Sequence, residues 1–142
     1  MNSILKAGAA TELKDLISYE EGSIANLDLA HTDNMKFVLM AFDEGTGLTP
    51  HRAPGNAILT ALEGKAIIGY EGQDYELTAG QSFRFDKNGL HSVTAQGKFC
   101  CWCWSKFVLI FRAAAYFFAA ALLFFQKGLD KRGRSCIIVS SA

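Results

Sequence analysis

From residue 23 to residue 95 the chain is a succession of short runs in which apolar and polar side chains alternate, each run closed by glycine or asparagine. Alternation with period two places one face of a strand on a core and the other toward water. The predicted strands are 23–29, 36–43, 49–53, 57–62, 65–70, 73–77, 82–85 and 91–95. Between them lie Asp33-Asn34, Glu44-Gly45-Thr46-Gly47, Pro54-Gly55-Asn56, Glu63-Gly64, Glu71-Gly72, Ala79-Gly80 and Lys87-Asn88-Gly89. Glycine and asparagine accept the positive φ that tight turns demand. Many short antiparallel strands must pair or close their edges, so an all-β barrel or jelly roll is expected rather than an open sheet. Ahead of them, Leu13, Leu16 and Ile17 have helical spacing and predict a short amphipathic turn over residues 11–19 that covers the barrel.

A chain of 142 residues, half of them apolar, can bury a core without disulfide or metal staples and fits one domain. Fourteen basic residues balance fourteen acidic ones, and no basic stripe appears ahead of the last sixteen residues. Nucleic acid is therefore not an expected partner, and a small neutral molecule is. Cys100, Cys101, Cys103 and Cys136 crowd toward the C-terminus, too close for a disulfide framework, which suits a reducing cytoplasm. Cys100-Cys101-x-Cys103 also lacks the two-residue gap of a zinc knuckle and has no second cluster. Residues 1–15 hold no charged segment followed by an apolar stretch, so no secretory signal is expected. Asp43 and Glu44 are neighbours on a strand, point to opposite faces, and read as solvated acids at a turn. No phosphate loop, nucleotide fingerprint or Ser-His-Asp pattern is present.

Two segments carry a more specific signal. Gly45-Thr46-Gly47-Leu48-Thr49-Pro50-His51-Arg52-Ala53-Pro54-Gly55-Asn56-Ala57 runs on to Leu62-Glu63-Gly64, and Gly80-Gln81-Ser82-Phe83-Arg84-Phe85-Asp86-Lys87-Asn88-Gly89-Leu90-His91 follows. Together they resemble the paired motifs of the cupin superfamily, in particular small single-domain cupins with His-x-Ala-Pro in the first motif. The resemblance covers residues 23–99. It implies a cupin jelly-roll β-barrel, with residues 1–22 as a lead-in, 23–105 as the barrel and 106–142 as an apolar and basic tail.

In metal-binding cupins the motif side chains hold a divalent transition metal, of which zinc, iron, nickel and manganese are the candidates. Residue by residue, His51 matches the first histidine and His91 the last. Ala53 stands at the second histidine position, Ala57 at the glutamate position, and Asp86 where proline is usual. The implied metal set is thus half present, and a tight resident metal is not expected. A histidine in a barrel is commonly a hydrogen-bonded interior or rim residue. Two of them, 40 positions apart and each at its motif place, favour a shared interior site. His31, just before a turn, reads as solvent-facing.

If His51 points inward, strand parity takes Ala53 inward with it, and Ala57, Leu59 and Ala61 share the interior face. Three small side chains and two imidazoles describe a pocket for a small organic molecule, with His51, His91, Ala53, Ala57 and Ala61 lining it. The competing expectation is that Phe83, Phe85 or Met40 fills that space. Three functions follow: a small-molecule binder, a metal-dependent enzyme of the dioxygenase, isomerase or decarboxylase type, and a membrane-anchored sensor. The resemblance also implies a homodimer.

The end of the chain departs from the pattern. Phe99-Cys100-Cys101-Trp102-Cys103-Trp104-Ser105 stands where the barrel needs a last apolar strand. Phe and Cys codons end in a pyrimidine, and Cys and Trp codons begin with TG. Read from the third base of Phe99, the text becomes Leu-Leu-Leu-Val-Leu, then Glu if Ser105 is an AGY codon, which is a closing strand. A frame-shifted translation from Phe99 onward is one reading. A membrane span over residues 107–125, burdened by Arg112 and flanked by Lys127, Lys131, Arg132 and Arg134, is another. An apolar soluble helix over 113–125 is the third.

Overall fold

A computed structural model describes residues 2–107, 126–129 and 135–138 of the chain. Each of the eight expected strands is present. Together with two more, β1 and β10, they are in chain order β1 (Asn2–Ser3), β2 (Ile24–Thr32), β3 (Met35–Phe42), β4 (Gly47–Arg52), β5 (Asn56–Glu63), β6 (Lys65–Tyr70), β7 (Gln73–Thr78), β8 (Ser82–Phe85), β9 (Leu90–Ala95) and β10 (Phe99–Lys106). β11 (Gln126–Leu129) pairs antiparallel with β12 (Ser135–Ile138). The frame-shift, membrane-span and helix readings of the tail fall on residues that lie, beyond Phe107, largely outside the described part. Among the described residues no helix is long and apolar enough to cross a membrane.

The strands form two antiparallel sheets, β1-β2-β3-β10-β5-β8 and β4-β9-β6-β7. Their facing sides enclose one cluster that includes Phe42, Leu59, Ile68, Phe85, Val93 and Phe99. These layers and their connections are those of a jelly roll. Gly64, in the turn between β5 and β6, has a φ of 78° and packs so closely on the Lys98 carbonyl that a Cβ would collide with it. Only glycine satisfies both conditions.

β10 stands where the barrel needs its last strand. The residues as they stand form the closing strand, central in the larger sheet between β3 and β5. Phe99, Cys101 and Cys103 join the interior cluster, while Cys100 and Trp102 pack with a second cluster on the outer face. Cysteine behaves as a small hydrophobe, and aromatic residues suit a pleated, half-buried surface. Burial raises the thiols of Cys100 and Cys103 to about 11 and that of Cys101 well above its ordinary value, so all three stay protonated.

The lead-in covers the outer face as predicted, with one change. The expected helical turn is a single 3-10 turn, Leu13–Leu16. Leu13 and Ile17 pack on the outer cluster of Leu29, Leu39 and Cys100, whereas Leu16 points to solvent. Tyr19 anchors the segment: its hydroxyl donates to Glu63 Oε1 at 2.8 Å, and Lys98 Nζ lies over its ring.

Candidate functional site

The site begins with an irregularity in β4. Gly47 and Leu48 pair with Thr94 and Val93 in one register, and then the register shifts, so that His51 faces His91 and Arg52 faces Leu90. In the first register Pro50 would have stood opposite His91, and His51 would have taken the outward parity. The extra residue of the bulge turns His51 to the side occupied by Leu48 and Val93. Pro50 is tolerated because β4 is the edge strand of its sheet.

The two imidazoles meet with ring centroids 4.2 Å apart and planes inclined at 58°. His91 is 7% exposed and stacks on Phe85 at 4.3 Å. Each ring is fixed by its own backbone. His91 Nδ1 lies 2.9 Å from the Gly89 carbonyl and His51 Nδ1 lies 2.7 Å from the Thr49 carbonyl. A carbonyl oxygen only accepts, so each Nδ1 is the donor, and in the neutral form of each ring Nε2 is left as the acceptor. Burial holds the His91 pKa below its ordinary value and the charge of His51 lowers it further, while the Gly89 hydrogen bond opposes both.

The loop beside the pair is held by polar contacts that residue spacing does not reveal. Asn88 sits at φ 63°, a left-handed position that asparagine tolerates. Its N–H donates to the Ala53 carbonyl at 2.9 Å, and its carbonyl accepts from Arg52 Nη1 at 2.6 Å. Arg52 also pairs with Glu71, whose carboxylate accepts from the Leu90 N–H. Tyr70, directly opposite His91 in β6, packs edge-on against Phe83 and Phe85, and its hydroxyl accepts from the Asp86 N–H at 3.3 Å. A proline at position 86 could not make that bond.

Of the expected lining residues, Ala57 and Ala61 face inward and are buried, at 5% and 1% exposure. Ala57 pairs with Phe85, close to the histidines, whereas Ala61 pairs with Cys101 two rows deeper in the core. Ala53 lies one residue past the end of β4, half-buried. His31 is exposed. Phe85 and Met40 are buried in the interior cluster with the alanines, and Phe83 packs against it, which is the filling that competed with an open pocket. The Asp43 carboxylate accepts the Gly22 N–H at 2.8 Å and is held below the usual carboxylate range by that bond and by the Glu44 backbone. Asp43 is thus a turn anchor.

The profile of the family described as "Cupin domain" matches residues 38–104. Residues 38–104 are a cupin domain. No curated protein matches the chain. A cupin superfamily protein from Desulfitobacterium hafniense DCB-2 is similar in structure, with a TM-score of 0.70 and 20% identity over 73% of this chain and 95% of that one. A conserved protein of unknown function from Streptococcus pyogenes gives 0.71 and 20%, over 76% and 96%. A cupin 2 conserved barrel domain protein from Leptotrichia buccalis gives 0.63 and 29%, over 66% of this chain and 45% of that one. Likeness at these identities carries the fold; function has to come from the site.

Cupin domains commonly hold a transition metal, so the donor set must be tested for one. His51 and His91 offer two imidazole nitrogens free for coordination. Among the described residues no third His, Cys, Asp or Glu joins them in a group able to hold an ion. Ala53 and Ala57 carry no donor. A closed, protein-only metal site does not fit this cupin domain.

Proposed function

We propose that this cupin domain binds a small organic molecule at the end of the barrel marked by His51 and His91. Both Nε2 atoms would accept hydrogen bonds from its hydroxyl or amine groups. The observation that carries the reading is the ring pair itself: the imidazoles lie 4.2 Å apart, each with Nδ1 against a backbone carbonyl, an arrangement that leaves two adjacent Nε2 acceptors when both rings are neutral. Ala57 keeps the wall beside Phe85 low, and Ala53 does the same at the turn. Such a composition, apolar with a few oriented polar groups, suits a small-molecule site. A catalytic role with a metal would require ligands from the bound molecule itself. Three free cysteines among the described residues accord with a reducing, cytoplasmic setting.

A fragment titration followed through the imidazole resonances tests the reading. His51→Ala and His91→Ala should each weaken a hydroxylated ligand by roughly tenfold, the worth of one oriented hydrogen bond. Binding should also fade as pH falls through the lowered pKa of His91, because protonation removes its acceptor. The same protonation draws on fold stability: the contribution of neutral His91 is complete above the ordinary imidazole value of about 6.5 and is lost as pH falls through its folded value. Unchanged affinity in both variants would sink the assignment.

Self-association is a second part of the proposal, and a specific feature favours it. On the outer face of the larger sheet, Phe37, Ile58, Trp102 and Trp104 line an apolar furrow of about 210 Å³. Trp104 pairs with Phe37 on one side and Ile58 on the other, and the lead-in packs instead beside Leu29 and Leu39. A second copy seated there would bury this patch. Trp104→Glu should convert a dimer to a monomer in sedimentation velocity; a wild-type monomer at high concentration would contradict the assembly.

A further inference from the structure

We infer that the molecule bound at the His51–His91 end is a small hydroxylated carboxylic acid, its carboxylate taken by Lys36 across the barrel from the imidazoles. This rests on the binding site proposed above and names its ligand class.

The inference comes from sheet register. Residues directly opposite one another in an antiparallel sheet share a face. Ala57 faces inward; it pairs with Phe85 on one side and Ser105 on the other, and Ser105 pairs with Lys36. The row Lys36–Ser105–Ala57–Phe85 therefore crosses the inner wall of the larger sheet, and its last member stacks on His91. The row and the imidazoles belong to one end of the barrel.

Polarity is concentrated in that row. The next row inward is Val38, Cys103, Leu59 and Phe83, and the one beyond it carries Met40, Cys101 and Ala61. Alternation in β3 would place another apolar side chain before Val38, Met40 and Phe42. A lysine stands there instead, its side chain 25% exposed. The charge of Lys36 acts on the Cys103 thiol, opposing the burial that raises it, and Cys103 packs on the interior cluster. Sheet parity puts Lys36 on the inner face of β3, and its ammonium reaches Asp28, which shares that face through its pairing with Val38.

Lys36 Nζ is 3.2 Å from Asp28 Oδ1, a contact that engages one of its three hydrogens. The others remain for an anion, and Asp28, half exposed, can accept from a ligand hydroxyl. One wall thus offers two neutral acceptors and the other a cation with an adjacent acceptor. A carboxylate joined to hydroxyls satisfies both, and a neutral polyol satisfies only one.

Gluconate and sorbitol provide the test, since they share a run of hydroxyls and differ at a carboxylate. Titrated into the full chain and read through the His51 and His91 resonances, gluconate should bind about tenfold more tightly, the scale of one charge-assisted contact. Lys36→Met should bring gluconate to the level of sorbitol and leave sorbitol unchanged. Asp28→Asn, which frees the ammonium, should strengthen gluconate several-fold; a salt bridge with a purely structural role would leave affinity where it was. Equal affinity for the two probes, or a preference that survives in Lys36→Met, overturns the inference while the binding site stands. Should Lys36→Met not fold, Asp28→Asn decides, and unchanged or weaker gluconate binding overturns the inference. No saturable shift of either imidazole with either probe overturns both the ligand class and the site.

Discussion

Ala61→Phe should unfold the barrel or leave it several kcal/mol less stable, whereas Ala57→Leu should cost far less. Both positions face inward, yet their depths differ. Ala61 is 1% exposed, opposite Cys101, and its backbone exchanges hydrogen bonds with the turn at Gly80 and Gln81. A benzyl group has no space there without displacing a strand, and overpacking of that kind costs about 1–3 kcal/mol, more where backbone must move. Against a total stability of about 5–15 kcal/mol, such a loss is visible as a large fall in the denaturation midpoint. Ala57 belongs to the row at the histidine end, so a leucine there can lean toward the opening and obstruct the ligand without breaking the core. Urea denaturation of the two variants separates the cases. Equal and small losses would show that the interior is hollow down to Ala61 and that the packed cluster described above is wrong.

The strands were legible because alternation and turn residues repeat the same instruction eight times, and their ends moved by only a few residues. The two motif histidines were singled out by the resemblance to the cupin motifs, and the fold brings their rings together. What alternation could not show is the bulge in β4, since a register shift inserts a residue without altering composition. Counted from Leu48, strict parity sends His51 outward; counted from His51 itself, it sends His51 inward by assumption. The last strand was harder to read for a different reason. Cysteine and tryptophan are rare, and their crowding invites an explanation from the gene, yet Phe99–Lys106 alternates between interior and outer face as any central strand does. Lys36 and Tyr70 escaped notice because each is unremarkable along the chain. Only pairing across strands places Tyr70 beside His91, and Lys36 in the row that ends at Phe85.

Ala53→His combined with Ala57→Glu should turn this weak donor pair into a metal site, raising affinity for zinc or nickel by at least about a hundredfold. The Ala57 position is the sensitive one. It is almost fully buried, so a carboxylate introduced there without a partner must either stay protonated or carry a charge into the core, and each alternative costs stability. Burial would raise the pKa of the new carboxyl, so the apo variant should be least stable at neutral pH and recover as pH falls and the group is neutralised. Zinc reverses the sign of that dependence. The ion binds the folded chain alone and requires the ionised carboxylate and the free Nε2 atoms of His51 and His91, so it should restore most stability near neutral pH and least in acid. A thermal shift on adding zinc that grows with pH is therefore the expected signature, accompanied by movement of both imidazole resonances. The single variant Ala57→Glu should show the same trend with weaker binding, because it supplies three donors rather than four. If either variant folds and zinc neither stabilises it nor perturbs His51 and His91, then position 57 and the two imidazoles do not converge. The row of Lys36, Ser105, Ala57 and Phe85 would then be misplaced with respect to the histidine pair.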